Sequence, residues 1–202
     1  VRVGDSVIVR RAGDVIPEVV NVIKEKRPKS SKKFKIPEKC PVCKEVAKKS
    51  EEEAVLRCIN PLCEARIKES LKHFVSRKAM NLDSIGDKLI ETLVDEELVS
   101  TFSDIYRLKK NDILELERMA EKSASNVMES IEKSKKTTFA RLIYSLGIRF
   151  VGEQTARLLA DEFGSVENLL QATEEDFTGI DGIGPKVAEA LGNDLKTPKM
   201  KK

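Results

Sequence analysis

The chain has 202 residues, 40% hydrophobic and 35% charged, which is enough apolar content to bury a core and enough length for more than one domain. Its net charge of +3 comes from 37 basic and 34 acidic side chains, so a global positive field is excluded and any nucleic-acid affinity must come from local clusters of Lys and Arg. No apolar run approaches the roughly 18 residues of a membrane span and the opening VRVGDSVIVR is no signal-peptide core, so a cytoplasmic protein without membrane partners is expected.

From Val1 to Ile23 the apolar residues alternate as in strands, with turn signals at Gly4-Asp5 and Ala12-Gly13-Asp14. Two or three strands do not make an independently stable sheet, and the chain opens at Val1 inside the pattern. A fragment of a β-barrel, with the remainder upstream, is therefore expected. A Lys-rich stretch with two prolines follows and reads as a solvated tether.

Cys40 and Cys43, then Cys58 and Cys63, form two close pairs separated by fourteen residues. In a reducing compartment such pairs are metal ligands rather than disulfides. Each pair makes a knuckle that aims two thiolates at one point, with a β-hairpin between the knuckles, and four thiolates complete a tetrahedral zinc site with no open position. One structural zinc is expected. His73, the single histidine, is then a surface or helix-packing residue.

From Ala65 the period becomes helical. Ile67, Leu71, Phe74 and Val75 share one face, and Lys68, Lys72, Arg77 and Lys78 lie on the other. A short repeat then dominates the chain. Ser84-Ile85-Gly86, Arg118-Met119-Ala120, Phe150-Val151-Gly152 and Gly182-Ile183-Gly184 align, with their last residues 34, 32 and 32 positions apart. Four positions after each anchor stand Ile90, Ala124, Ala156 and Ala188, and seven after stand Leu93, Val127, Leu159 and Leu191. These mark the inner face of a helix that begins at each turn.

A glycine anchor, able to adopt positive φ, lets a backbone N–H approach a phosphate oxygen, and the helix start adds unpaired N–H groups and a positive dipole end. Each turn is therefore read as a phosphate cradle, supported by Lys88, Lys122 and Lys186. Arg149 precedes the third turn, which carries Gln154 in place of Lys. Ala120 stands where glycine is expected and makes the second turn the weakest candidate. Such contacts hold the sugar-phosphate backbone without reading bases.

RRAGDVIPEVV, the four-cysteine block with CINPLC, LKHFVSRKAMNLDSIGDKLI, LIYSLGIRFVGEQTARLLA and GIDGIGPKVAEAL together resemble bacterial NAD-dependent DNA ligases, in the family's order, from Val1 to about Leu191. The resemblance implies a multidomain, mainly α chain from the C-terminal half of that family. Its parts would be OB-fold strands (residues 1–27), a Lys-rich linker (28–39), a four-cysteine zinc finger (40–64), an all-α helix-hairpin-helix domain of four motifs (65–192) and a basic tail (193–202). It further implies a protein, expected as a monomer, that encircles nicked duplex DNA for phosphodiester bond formation in replication and repair. A separate N-terminal nucleotidyltransferase domain would use NAD and Mg to adenylate the 5′-phosphate.

The DNA-binding residues implied are Arg10, Arg11, Asp14, Gly86, Lys88, Arg149, Gly152, Gly182, Gly184 and Lys186. Arg10, Arg11 and Asp14 read equally well as a charged solubilising turn. No K-x-D-G motif occurs in these residues, so no catalytic residue is assigned and the isolated chain is expected not to seal a nick. After Leu191 a polar basic stretch stands where the family usually continues toward a BRCT domain. A stand-alone, non-enzymatic duplex-binding protein with a zinc site and helix-hairpin-helix motifs is the alternative.

Overall fold

A computed structural model describes residues 1–13, 16–49 and 55–195. The chain divides after Ile59 into two compact units. The first contains two small antiparallel sheets, and the second is helical. The mainly α, multidomain architecture expected from the sequence is the one observed.

In the first unit β1 (Val7–Ala12) pairs with β2 (Ile16–Val22), and the register slips between Ile8 and Val9. The strands form because β-branched residues alternate on either side of the Gly13 turn. Ile8, Val9, Ile16, Val19 and Val20 all stay exposed, so this ribbon has no core of its own. Its base is held instead by polar contacts. Arg27 makes two hydrogen bonds to the carboxylate of Asp5, at 2.7 and 2.8 Å, and Asp5 Oδ2 accepts from the Arg2 amide at 2.7 Å. The Lys-rich stretch departs from a free tether: within it Lys33 bridges to Arg2, Ser31 O accepts from the Arg2 guanidinium at 3.1 Å, Lys39 bridges to Val46 and Glu38 O accepts from the Ala47 amide at 2.8 Å. The hairpin expected between the cysteine pairs is present as β3 (Ala47–Lys48) paired with β4 (Arg57–Cys58).

The helical unit contains α1 (Glu64–Val75), α2 (Asp87–Asp95), α3 (Phe102–Ile105), α4 (Lys110–Leu114), α5 (Glu121–Ser134), α6 (Phe139–Ser145), α7 (Glu153–Phe163), α8 (Val166–Gln171), α9 (Glu174–Thr178) and α10 (Pro185–Leu195). Helices pair across the four aligned turns: α1 with α2, α4 with α5, α6 with α7 and α9 with α10. The small or apolar residues four and seven positions past each anchor are all at most 1% exposed. The helical period read from the sequence is therefore the period of burial.

These buried residues sort into two cores. One gathers Leu82, Ile85, Ile90, Leu93, Leu116, Ala124 and Val127 from the first two turns, and the other gathers Ile148, Val151, Ala156, Leu159, Ile183, Ala188 and Leu191 from the last two. A single turn cannot bury its own apolar face, and pairing two closes a core. His73 on α1 spans the two groups. Its Nε2 lies 2.8 Å from Tyr144 O on α6, and the two rings meet edge to face at 4.9 Å. The Arg141 guanidinium also donates to the backbone carbonyls of Ala79, at 2.8 Å, and Arg77.

Candidate metal centre and nucleic-acid interface

The two cysteine pairs meet. The sulfurs of Cys40, Cys43, Cys58 and Cys63 all lie within 4.8 Å of one another, with no disulfide among them. The first knuckle turns at Lys44, whose backbone is left-handed at φ 63° and whose amide bonds Cys40 O at 3.0 Å. The second is an Asx turn in which Asn60 Oδ1 accepts from the Leu62 amide at 2.9 Å. Amides of Cys43 first, then Val42, hydrogen-bond the Cys40 sulfur and hold its pKa down at about 6, while burial works against them. A tetrahedral zinc–thiolate centre places its sulfurs about 3.8 Å apart, and the Cys43–Cys58 separation is 3.4 Å. The donor set and spacing fit a structural zinc ion held by four thiolates.

The four turns share one backbone plan. The carbonyls of Leu82, Leu116, Ile148 and Ile180 accept from the amides of Ile85, Met119, Val151 and Ile183 at 2.9, 3.2, 3.1 and 3.0 Å. The carbonyls of Gly86, Ala120, Gly152 and Gly184 accept the first helical bonds at 3.1, 3.0, 2.9 and 3.1 Å. The second helix of each pair therefore starts at the anchor.

The anchors differ from the sequence expectation in conformation. Gly86 and Gly152 are extended, at φ −87° and −85°, as is Ala120 at −99°. The left-handed position lies two residues earlier, at Arg118 (φ 63°), Phe150 (φ 65°) and Gly182 (φ 89°), as in a type II turn. Positive φ is thus not the reason for glycine at the anchor. A Cβ built on Gly86, Gly152 or Gly184 meets nothing within 4 Å, so packing within the protein is not the reason either. What glycine preserves there is open space in front of the helix start.

Three of the four helix starts are also left without a side-chain cap. Gly86, Ala120 and Gly152 offer no side-chain hydrogen bond to the first-turn amides. By contrast α6, α8 and α9 begin at Thr138, Ser165 and Thr173, whose side chains accept one of those amides. Uncapped amides with the dipole behind them suit an anionic oxygen.

Lys88 and Lys186, two residues past their anchors, are exposed, as is Arg149. The Arg149 guanidinium lies 4.5 Å over the Phe150 ring. Lys68 and Lys72 are engaged elsewhere: Lys68 pairs with Glu64 and Asp95, and Lys72 with Glu69 and Glu91. Both lysines tie α1 to α2. In the first unit Arg10 and Arg11 are exposed, and Arg10 pairs across the strands with Glu18 at 3.0 Å. Asp14 lies outside the described residues. Lys78 was read from the sequence only as part of a basic helix face, and the tip residues Arg118 and Phe150 were not singled out as sites. Alignment of their slot with Gly182 was the available signal.

Comparison with known proteins agrees with this geometry. Residues 1–31 match the NAD-dependent DNA ligase OB-fold domain, residues 39–65 the NAD-dependent DNA ligase C4 zinc finger domain, and residues 141–202 the helix-hairpin-helix motif. The chain is 55% identical over 201 residues to a protein named DNA ligase from Bdellovibrio bacteriovorus, covering 99% of this chain and 29% of the relative. Proteins of the same name from Oceanobacillus iheyensis (49% over 191 residues, 95% of this chain and 29% of the relative) and Coxiella burnetii (54% over 192 residues, 95% and 28%) are similar. The chain thus spans less than a third of the length of these curated relatives. It belongs with the NAD-dependent DNA ligases, whose OB-fold, C4 zinc-finger and helix-hairpin-helix segments it carries.

Proposed function

We propose that this chain is the part of an NAD-dependent DNA ligase that clamps nicked duplex DNA, without sequence preference, for phosphodiester bond formation in replication and repair. One observation carries the reading. The second helices of the first three hairpins start without a side-chain cap, and at Gly86, Gly152 and Gly184 the space in front is kept free of any Cβ although nothing in the protein occupies it. A phosphate oxygen fits there and satisfies amides that the chain leaves open. Gly86, Gly152 and Gly184 are the backbone clamps, Gly182 sets the tip of the fourth turn, and Lys88, Arg149 and Lys186 add charge-assisted contacts. Arg10 and Arg11 extend the contact from the OB-fold strands.

Cys40, Cys43, Cys58 and Cys63 hold one zinc ion, which organises the finger and takes no part in bond formation. Adenylation with NAD and Mg is assigned to a nucleotidyltransferase domain of the intact protein, so this chain alone seals no nick. It acts as a monomer in the bacterial cytoplasm, at the nucleoid.

The test is binding of the zinc-loaded chain to a nicked duplex across a salt series, beside a Gly152→Val, Gly184→Val double variant. A Cβ at either site meets no protein atom within 4 Å, so the variant is expected to fold. Sequence-independent binding that falls steeply with salt and is lost in the variant is the expected result. Equal binding by both proteins would reduce the hairpins to scaffold.

A further inference from the structure

The tip position two residues before each anchor distinguishes the four repeats and is left-handed in the last three. Arg118, Phe150 and Gly182 fill it in the second, third and fourth, and Ser84 stands at the aligned position of the first. Phe150 is the anomaly. A bulky residue at φ 65° is strained backbone, and glycine does the same work without strain at Gly182, φ 89°. The fold gains little from the ring in return. Phe150 is 52% exposed and takes no part in the core that its neighbours Ile148 and Val151 build. Strain and an apolar ring left in water are two separate costs at one exposed position, and both fall beside the proposed phosphate cradle at Gly152.

The ring is also presented in a set orientation. Arg149 stacks on it at 4.5 Å, so a planar cation and an aromatic face stand together two and three residues before Gly152. Along a DNA strand each phosphate is flanked by a deoxyribose whose carbon face is apolar. A cation beside an aromatic matches that alternation.

We propose that Phe150 is an aromatic DNA contact, packing on the deoxyribose and base edge next to the phosphate received at Gly152. The inference rests on the DNA-binding reading and adds to it an apolar, sequence-independent contribution. Electrostatic contacts release counterions and set the slope of log K against log salt, whereas an apolar contact shifts the line without tilting it.

The chain contains no Trp, so Phe150→Trp supplies a single reporter while keeping an aromatic face. Wild type, F150G and F150W are compared on a nicked duplex across a salt series. F150G is expected to bind roughly 5- to 10-fold more weakly at every salt concentration with an unchanged slope, and to melt no lower than wild type because glycine relieves the strain. F150W is expected to bind as wild type does, with its emission changed by duplex and not by inorganic polyphosphate. Wild-type affinity in F150G, an altered slope, or tryptophan emission indifferent to duplex overturns the inference while leaving the clamp reading standing. A wild-type chain that binds no duplex overturns both.

Discussion

Lys78 Nζ lies 2.6 Å from Glu153 Oε1, so the stretch after α1 lends its cation to the first residue of α7, directly behind the third anchor. The pairing holds the Glu153 carboxyl below its ordinary range and raises the Lys78 ammonium. A carboxylate there suits the helix dipole but repels an incoming phosphate. Glu153→Gln is therefore expected to tighten duplex binding at low salt and to steepen the salt slope by about 0.9, the increment for one further phosphate neutralised. Lys78→Gln should do the reverse. Titrations of both variants between low and moderate salt check this, and indifference of both would confine the pair to holding the two turns together.

The zinc site predicts a stoichiometry. One zinc per chain is expected by atomic absorption, and chelation should expose four thiols to a colorimetric thiol reagent. Cys63→Ser should lose the metal and also loosen the start of α1, because Cys63 is the N-cap residue whose carbonyl accepts from Ile67 at 2.9 Å. The apolar cores contain no cysteine. Most helical signal in circular dichroism should therefore survive chelation.

Acid should act on the strand unit through Asp5. Arg27 is the main cause that lowers its pKa, to about 2, and the Arg2 amide assists. A carboxylate depressed on folding contributes stability above its unfolded pKa of about 3.9, and that contribution is lost as pH falls through about 2. Hydrogen exchange at Ile23, whose amide bonds Ser6 O at 2.9 Å, is expected to speed up relative to its intrinsic rate between about pH 4 and 2. In Asp5→Asn it should be fast throughout.

Ala120 has the same extended backbone as the glycine anchors, so Ala120→Gly changes only the space in front of α5. Glycine is also a better N-cap than alanine, by roughly 0.5–1 kcal/mol. The variant is expected to be slightly more stable to denaturant and to bind duplex more tightly. Leu159→Ala, at a fully buried position of the second core, should cost about 2–5 kcal/mol. Gly182→Ala should cost about 1–2 kcal/mol, because it puts a Cβ on a left-handed residue 3.3 Å from Leu158. Urea unfolding measures all three.

Much of this was legible in the sequence because it is local or periodic. The C-x2-C and C-x4-C pairs name a four-thiolate site by spacing alone, and the sulfurs do converge. The repeat with its small or apolar residues at offsets four and seven announced four helix starts, and each of those residues is buried. The glycine reasoning placed positive φ at the anchors, whereas Gly86 and Gly152 are extended and the left-handed residues lie two positions earlier. Freedom in φ belongs to the tip position, and the anchor needs only a missing Cβ, a distinction that composition cannot express.

Tertiary structure decided what depends on residues far apart in the chain. The repeats pair into two cores because one hairpin exposes an apolar face that only another can cover. Lys68 and Lys72, read from the sequence as one basic face, are drawn onto Asp95 and Glu91 of α2 by the packing of two helices. His73, ambiguous in isolation, is settled by a carbonyl 71 residues away. Phe150 shows the limit most clearly: its propensity argues against a left-handed tip, and only the turn imposed by Ile148 and Val151 entering the core puts it there.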